Sequence, residues 1–176
     1  MHDEAMQWVA ATTAGRRFNS IVELGARDVN GSVKGLFSSD VYIAVDIGDG
    51  PGVDVVCDAA DYRPDTPVEL VVTTEMMEHA PRAPEIPAAV FAMLQPDGLF
   101  IGTAAGPGRA PHSAIDGKGL QAGEHYANIH PTDLTEWLMT AGFVDIEIDV
   151  QRRPADIRWI ARRPSAIDRP SSHVGE

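Results

Sequence analysis

Acidic and small residues recur where short apolar runs of this chain stop. Ile21-Val22-Glu23-Leu24-Gly25 closes on Glu23 and Gly25, Val41 to Asp46 closes on Asp46, and Val53 to Asp58 closes on Asp58. The runs are rich in β-branched residues, as buried parallel strands are when a ligand lies across their carboxyl ends. Asp46 follows Gly25 by 21 positions (46 − 25), and a carboxylate there can accept both hydroxyls of a ribose. Asp58 is placed to accept from an adenine amino group. The glycines of Ile47-Gly48-Asp49-Gly50-Pro51-Gly52 let backbone approach a flat ring closely. Proton transfer has its candidates further on. His79 ends Glu75-Met76-Met77-Glu78-His79, and His125 and Tyr126 lie within Gly123-Glu124-His125-Tyr126. An imidazole titrates near neutrality and can take a proton from an acceptor that must lose one, while Tyr126 can orient it. A metal centre is not expected, because His112, Asp116, His125 and His130 show no known ligand spacing. His130 is expected to cap the helix after it.

These residues need elements to hold them. Met6, Val9 and Ala10 recur at helical spacing in Asp3 to Ala14. Gly31 to Ser39 should hold a short helix, weakened by Gly35. Between the second and third strands only six residues, 47 to 52, remain, too few for the usual helical crossover. Val68 to Thr74 is a fourth strand. A helix is expected from about Pro87, with Val90, Phe91, Met93 and Leu94 on its apolar face and Pro96 stopping it. Leu99 to Ala104 is the fifth strand. Ala105 to Ile129 has no sustained periodicity and few apolar anchors beyond Ile115, Leu120 and Ile129. A loop of that length is usually functional, and a mobile lid is expected. Leu134, Trp137, Leu138 and Ala141 mark a helix begun by Pro131 and capped by Gly142. Phe143 to Val150 and Ile157 to Ala161 read as a closing strand pair.

In this order and spacing the chain, from Ile21 to Arg162, resembles the class I S-adenosylmethionine-dependent methyltransferases. Within them it is similar to the small Rossmann-like group called methyltransferase type 11. The resemblance rests on Glu23-x-Gly25, Asp46, Glu78-His79 and the Leu94-Gln95-Pro96-Asp97-Gly98 turn. It implies an α/β fold, a single doubly wound Rossmann-like domain over 1–163. Its seven-stranded sheet would be mostly parallel with antiparallel C-terminal edge strands, and 164–176 would be a disordered tail. It implies S-adenosylmethionine as cofactor and a small-molecule or glycan acceptor. The cofactor would meet Glu23, Gly25, Ala26, Arg27, Asp28 and Gly31 in the first loop and Asp46 and Ile47 after the second strand. Beyond the third and fourth strands it would meet Cys57, Asp58, Ala59, Thr74 and Glu75. Catalytic roles would fall to His79, His125 and Tyr126. The first loop differs from the family's Glu-x-Gly-x-Gly-x-Gly, since Ala26 to Asn30 separate Gly25 from Gly31.

Two other functions compete. A nicotinamide oxidoreductase would share the loop and Asp46 but should show Gly-x-Gly-x-x-Gly, whose second glycine is absent here. A non-catalytic binding module with this fold is the other. Composition narrows the field: 176 residues with 44% apolar content suit one soluble domain. Net charge is −12, which disfavours a broad phosphate-backbone footprint and so nucleic acid. Cys57, the one cysteine, suggests a reducing compartment. With no signal-like N-terminus and no run of spanning length, a cytoplasmic location away from membranes is expected.

Overall fold

The structure, a computed structural model, describes residues 3–165, 167 and 168. In chain order the elements are α1 (Asp3–Thr13), β1 (Ser20–Leu24), β2 (Val41–Asp46), β3 (Val55–Val56), β4 (Val68–Thr74), α2 (Ile86–Met93), β5 (Leu94–Ala105), α3 (Pro131–Ala141), β6 (Val144–Val150) and β7 (Asp156–Arg162). The strands form one seven-stranded sheet in the order β3-β2-β1-β4-β5-β7-β6. β1 pairs in parallel with β2 on one side and β4 on the other, whereas β7 is antiparallel to β5 and β6. The expected fold class is the observed one. The chain winds outward from β1 through β3, then returns to start again at β4. Loops leaving β1 and β4 therefore diverge, and a crevice opens at their carboxyl ends.

Alternation along the strands divides the core in two. Leu70 and Val72 face α1 with Val9, Phe18, Ile21 and Ile101. Val71 faces the other way, with Val22, Phe100 and Trp159, onto Val90 and Met93 of α2 and Leu134 and Leu138 of α3. The Trp159 ring meets Phe100 edge-on at 5.4 Å and lies over its register partner Gly102. Gly142, at φ 100°, ends α3 by donating to the Leu138 and Met139 carbonyls. His130 occupies the N-cap position, but its side chain caps nothing.

Several boundaries differ from those the sequence suggests. The third run shrinks to Val55–Val56 because Asp54 turns its carboxylate onto the Ala44 amide at 2.9 Å. The helix expected in Gly31 to Ser39 is one 3-10 turn, Val33–Leu36, capped by Ser32. β5 begins at Leu94, directly after α2, and Gln95 to Gly98 bulge from it: register steps from Val68↔Leu94 to Leu70↔Leu99. β6 is also irregular, between Val144 and Glu147. The expected tail, 164–176, lies largely outside the described residues; Asp168, which is described, accepts from Arg162 at 2.8 Å. Among the described residues no helix is long and apolar enough to cross a membrane.

Candidate active site

The crevice is a cavity of about 770 Å³, a size that takes a small molecule and a cofactor-like partner. One end is built by backbone. Gly25, at φ 79°, sends its own amide and that of Ala26 to the Val45 carbonyl, at 2.9 and 3.1 Å. A Cβ on Gly25 would lie 2.5 Å from Met76 Cβ, so glycine is needed both for the turn and for the contact. The Asp46 carboxylate accepts from Arg27 N at 3.1 Å on one oxygen and from Gly48 N at 2.9 Å on the other. Both oxygens are thereby oriented, and each retains acceptor capacity. Asp58 accepts from the Ala60 amide at 2.9 Å and faces Arg82 at 3.5 Å.

The other end is built by side chains from the loops after β4 and β5. His79 and His125 both line the cavity, with Arg109 and His112. Burial chiefly, then the neighbouring His112, lowers the His79 pKa, so its ring is neutral near pH 7. Tyr126 is not among the lining residues. Its ring packs edge-on against His79 at 5.4 Å and His112 at 5.2 Å, and its hydroxyl donates to the Ala110 carbonyl at 3.3 Å. Burial pushes its phenol up to about 12. Tyr126 is therefore a neutral phenol whose hydroxyl is engaged by backbone. The long loop is held largely by polar side chains, with Ile129 buried in the core at its end. Glu124 accepts from Ser113 Oγ, Ala114 N and Gln121 N at 2.9, 3.1 and 2.7 Å. Asn128 Nδ2 donates to the Gly106 and Arg109 carbonyls at 2.7 and 3.1 Å.

No family model matches the chain, and no curated protein matches it. Solved structures do. Phosphoethanolamine N-methyltransferase 2 of Haemonchus contortus, in complex with S-adenosyl-L-methionine, superposes with a TM-score of 0.70 at 13% identity, over 91% of this chain and 52% of that one. The 1,6-didemethyltoxoflavin-N1-methyltransferase of Burkholderia thailandensis, with bound 1,6-didemethyltoxoflavin and S-adenosylhomocysteine, gives 0.65 at 19%, over 93% and 80%. An S-adenosylmethionine-dependent methyltransferase of Mesorhizobium loti gives 0.66 at 15%, over 92% and 99%. The chain has the Rossmann-like methyltransferase fold. It spans about half the length of the Haemonchus protein.

Within this methyltransferase fold the cavity gathers most residues singled out from sequence. Glu23, Ala26, Arg27, Gly31, Ile47, Cys57, Ala59, Thr74 and Glu75 line it with those already described. Asp28 is not among them; its carboxylate accepts from Gly31 N at 2.7 Å and shapes the loop. Sequence reasoning missed Arg109, which pairs with Asp156 and lies 3.5 Å from Glu75. Its place just past the carboxyl end of β5 was the available signal. The histidine grouping considered from sequence is not the one the methyltransferase fold assembles: His112 packs against His79, at 4.9 Å between ring centroids.

Glu23 is 2% exposed and accepts from the Tyr42 hydroxyl at 2.7 Å. Burial pushes its pKa up to about 7, against the opposing pull of Tyr42 and Lys34. The folded state then holds a proton that the unfolded chain has released. Stability from this source is complete below the unfolded carboxyl value and is lost as pH climbs to about 7. Glu23→Gln keeps an acceptor for Tyr42 and removes the titration. The variant should match the parent near pH 4.5 and exceed it by on the order of 2–3 kcal/mol at pH 8. Urea unfolding at the two pH values checks this, and parallel pH profiles would refute it.

Proposed function

We propose that the chain transfers a methyl group from S-adenosylmethionine to a small-molecule or glycan acceptor. One observation carries the reading: a single cavity joins a backbone-oriented carboxylate, Asp46, to an end lined by His79 and His125. Asp46 would accept the two ribose hydroxyls and Asp58 the adenine amino group. The Gly25 turn lets backbone lie against the methionine portion. The bound cofactor supplies an electrophilic methyl carbon on a sulfonium. This chain holds the acceptor in line with that carbon. His125, exposed at the cavity edge, takes the acceptor's proton and passes it to solvent. Net charge of −12 favours a small acceptor over nucleic acid, and the free thiol of Cys57 suits a reducing cytoplasm.

Asp46→Ala removes a charge-assisted, bidentate contact. The variant should bind S-adenosylhomocysteine about ten-fold to a hundred-fold more weakly, from a loss of roughly 1.5–3 kcal/mol. Asp58→Asn should lose less, since the amide keeps one acceptor. Isothermal titration of the folded variants decides. An unchanged dissociation constant for Asp46→Ala would remove the cofactor assignment, and binding without turnover on any acceptor would favour a non-catalytic module.

A further inference from the structure

We propose that Glu78, His79 and His112 bind one divalent transition-metal ion at the acceptor end of the cavity. One donor atom from each of the three side chains lies within 4.8 Å of the other two. A second, independent observation concerns Glu78. It is 0% exposed, and among the described residues no side chain hydrogen-bonds either carboxylate oxygen, its hydrogen-bonding neighbours being the backbone of Glu78 and Ala105; His79 Nδ1 is buried and hydrogen-bonds no side chain. A buried carboxyl group with no side-chain donor is normally paired, protonated or bound to a metal. Burial and the Glu75 charge oppose ionisation of Glu78 and the charge of Arg109 favours it, but the Arg109 guanidinium is engaged with Glu75 and Asp156.

The spacing comes close to that around a bound ion. Two donors each about 2.1 Å from one tetrahedral ion are roughly 3.4 Å apart, and two imidazoles sharing it have centroids roughly 5 Å apart. Here Glu78 Oε1 and His112 Nε2 are 3.9 Å apart, too long for a hydrogen bond. The His79 and His112 centroids are 4.9 Å apart. The remaining closure falls to His112, whose Nδ1 contacts the Ala110 carbonyl at 3.2 Å and whose Nε2 faces Glu78. Edge-on packing with Tyr126 accounts for the rings without an ion; it does not account for a fully buried carboxyl group with no side-chain partner beside them.

A carboxylate oxygen with two imidazoles is the donor set of zinc, manganese, iron or cobalt rather than of magnesium or calcium. Three protein donors leave positions open, and His79 and His112 both line the cavity, so those positions face it. On the methyl-transfer reading, on which this step alone rests, the group drawn there is an oxygen of the acceptor.

The test is titration of the chelator-stripped full chain with Co²⁺, followed by visible absorption, and with Zn²⁺ in competition. One equivalent of Co²⁺ should bind with a visible band that Zn²⁺ abolishes and millimolar Mg²⁺ does not. Glu78→Gln and His112→Ala should each weaken binding by roughly 100-fold or more. His112 lies on a loop, so its variant decides the matter even where Glu78→Gln fails to fold. No band in the folded parent, or equal affinity in His112→Ala, overturns the site. S-adenosylhomocysteine affinity on the same samples separates the two ideas. Cofactor binding without Co²⁺ binding overturns the metal site alone, whereas the converse leaves the metal site standing and overturns the methyl-transfer reading.

Discussion

His125→Ala should lower turnover by roughly 10²-fold or more while S-adenosylhomocysteine affinity stays within about two-fold. The asymmetry follows from where the residue sits. Asp46 and Gly25 build one end of the cavity from β1 and β2 and their loops; His125 reaches the other end from the loop after β5. That loop does not depend on His125 for its shape, because Glu124 and Asn128 on either side hold it by hydrogen bonds. A loss of turnover therefore reports proton transfer rather than collapse of the loop. Steady-state kinetics beside isothermal titration checks the split. Equal loss in both measurements would mark His125 as part of the cofactor site, and loss in neither would leave it outside the chemistry.

Gly102→Ala should destabilise the chain by about 3 kcal/mol or more, lowering Tm by roughly 6–12 °C. Gly102 pairs with Trp159 across β5 and β7. A Cβ there would overlap Trp159 Cζ2, lie 2.6 Å from Trp159 Cη2 and lie 2.8 Å from Thr73 Cγ2. Trp159 and Thr73 are both 0% exposed, so neither can yield into solvent. The ring is held by Phe100 as well, and displacing it disturbs the contact between sheet and helices. Thermal unfolding followed by tryptophan fluorescence is the measurement. A melting point within about 2 °C of the parent would mean that the ring has room to turn.

Strand-borne parts of this molecule were legible because burial imposes a period on them. Ile21 to Leu24, Val41 to Asp46 and Val68 to Thr74 read correctly from apolar β-branched runs, and Asp46 came with them, since a strand end fixes where its last side chain stands. The lengths of β3 and β5 did not, because they depend on what lies alongside. Asp54 takes a ladder position that a backbone group would have filled, and Gln95 to Gly98 leave the ladder without ending it. Illegible too was the grouping of Glu78, His79 and His112. His79 and His112 stand 33 positions apart (112 − 79), and no local period links a turn after β4 to a loop after β5. Tyr126 was read as a group that could orient an acceptor, and its neighbours in the fold are two imidazoles.

The two ends of the sheet bear on how copies of this protein meet. β3 offers only Val55–Val56 as an outer edge, too short to template a strand from another molecule. At the opposite end β6 is broken by its irregularity at Val144/Glu147 and exposes Asp145, Glu147 and Asp149 in alternation. Asp145 is paired with Arg162 at 2.7 Å, and the charges of Glu147 and Asp149 along the kinked edge oppose an identical edge laid against them. Among the described residues both borders of the sheet are therefore poor templates for a second chain, which disfavours edge-to-edge stacking, the usual first step of β-aggregation. Concentrated solutions should stay free of fibrillar material as long as the sheet remains intact.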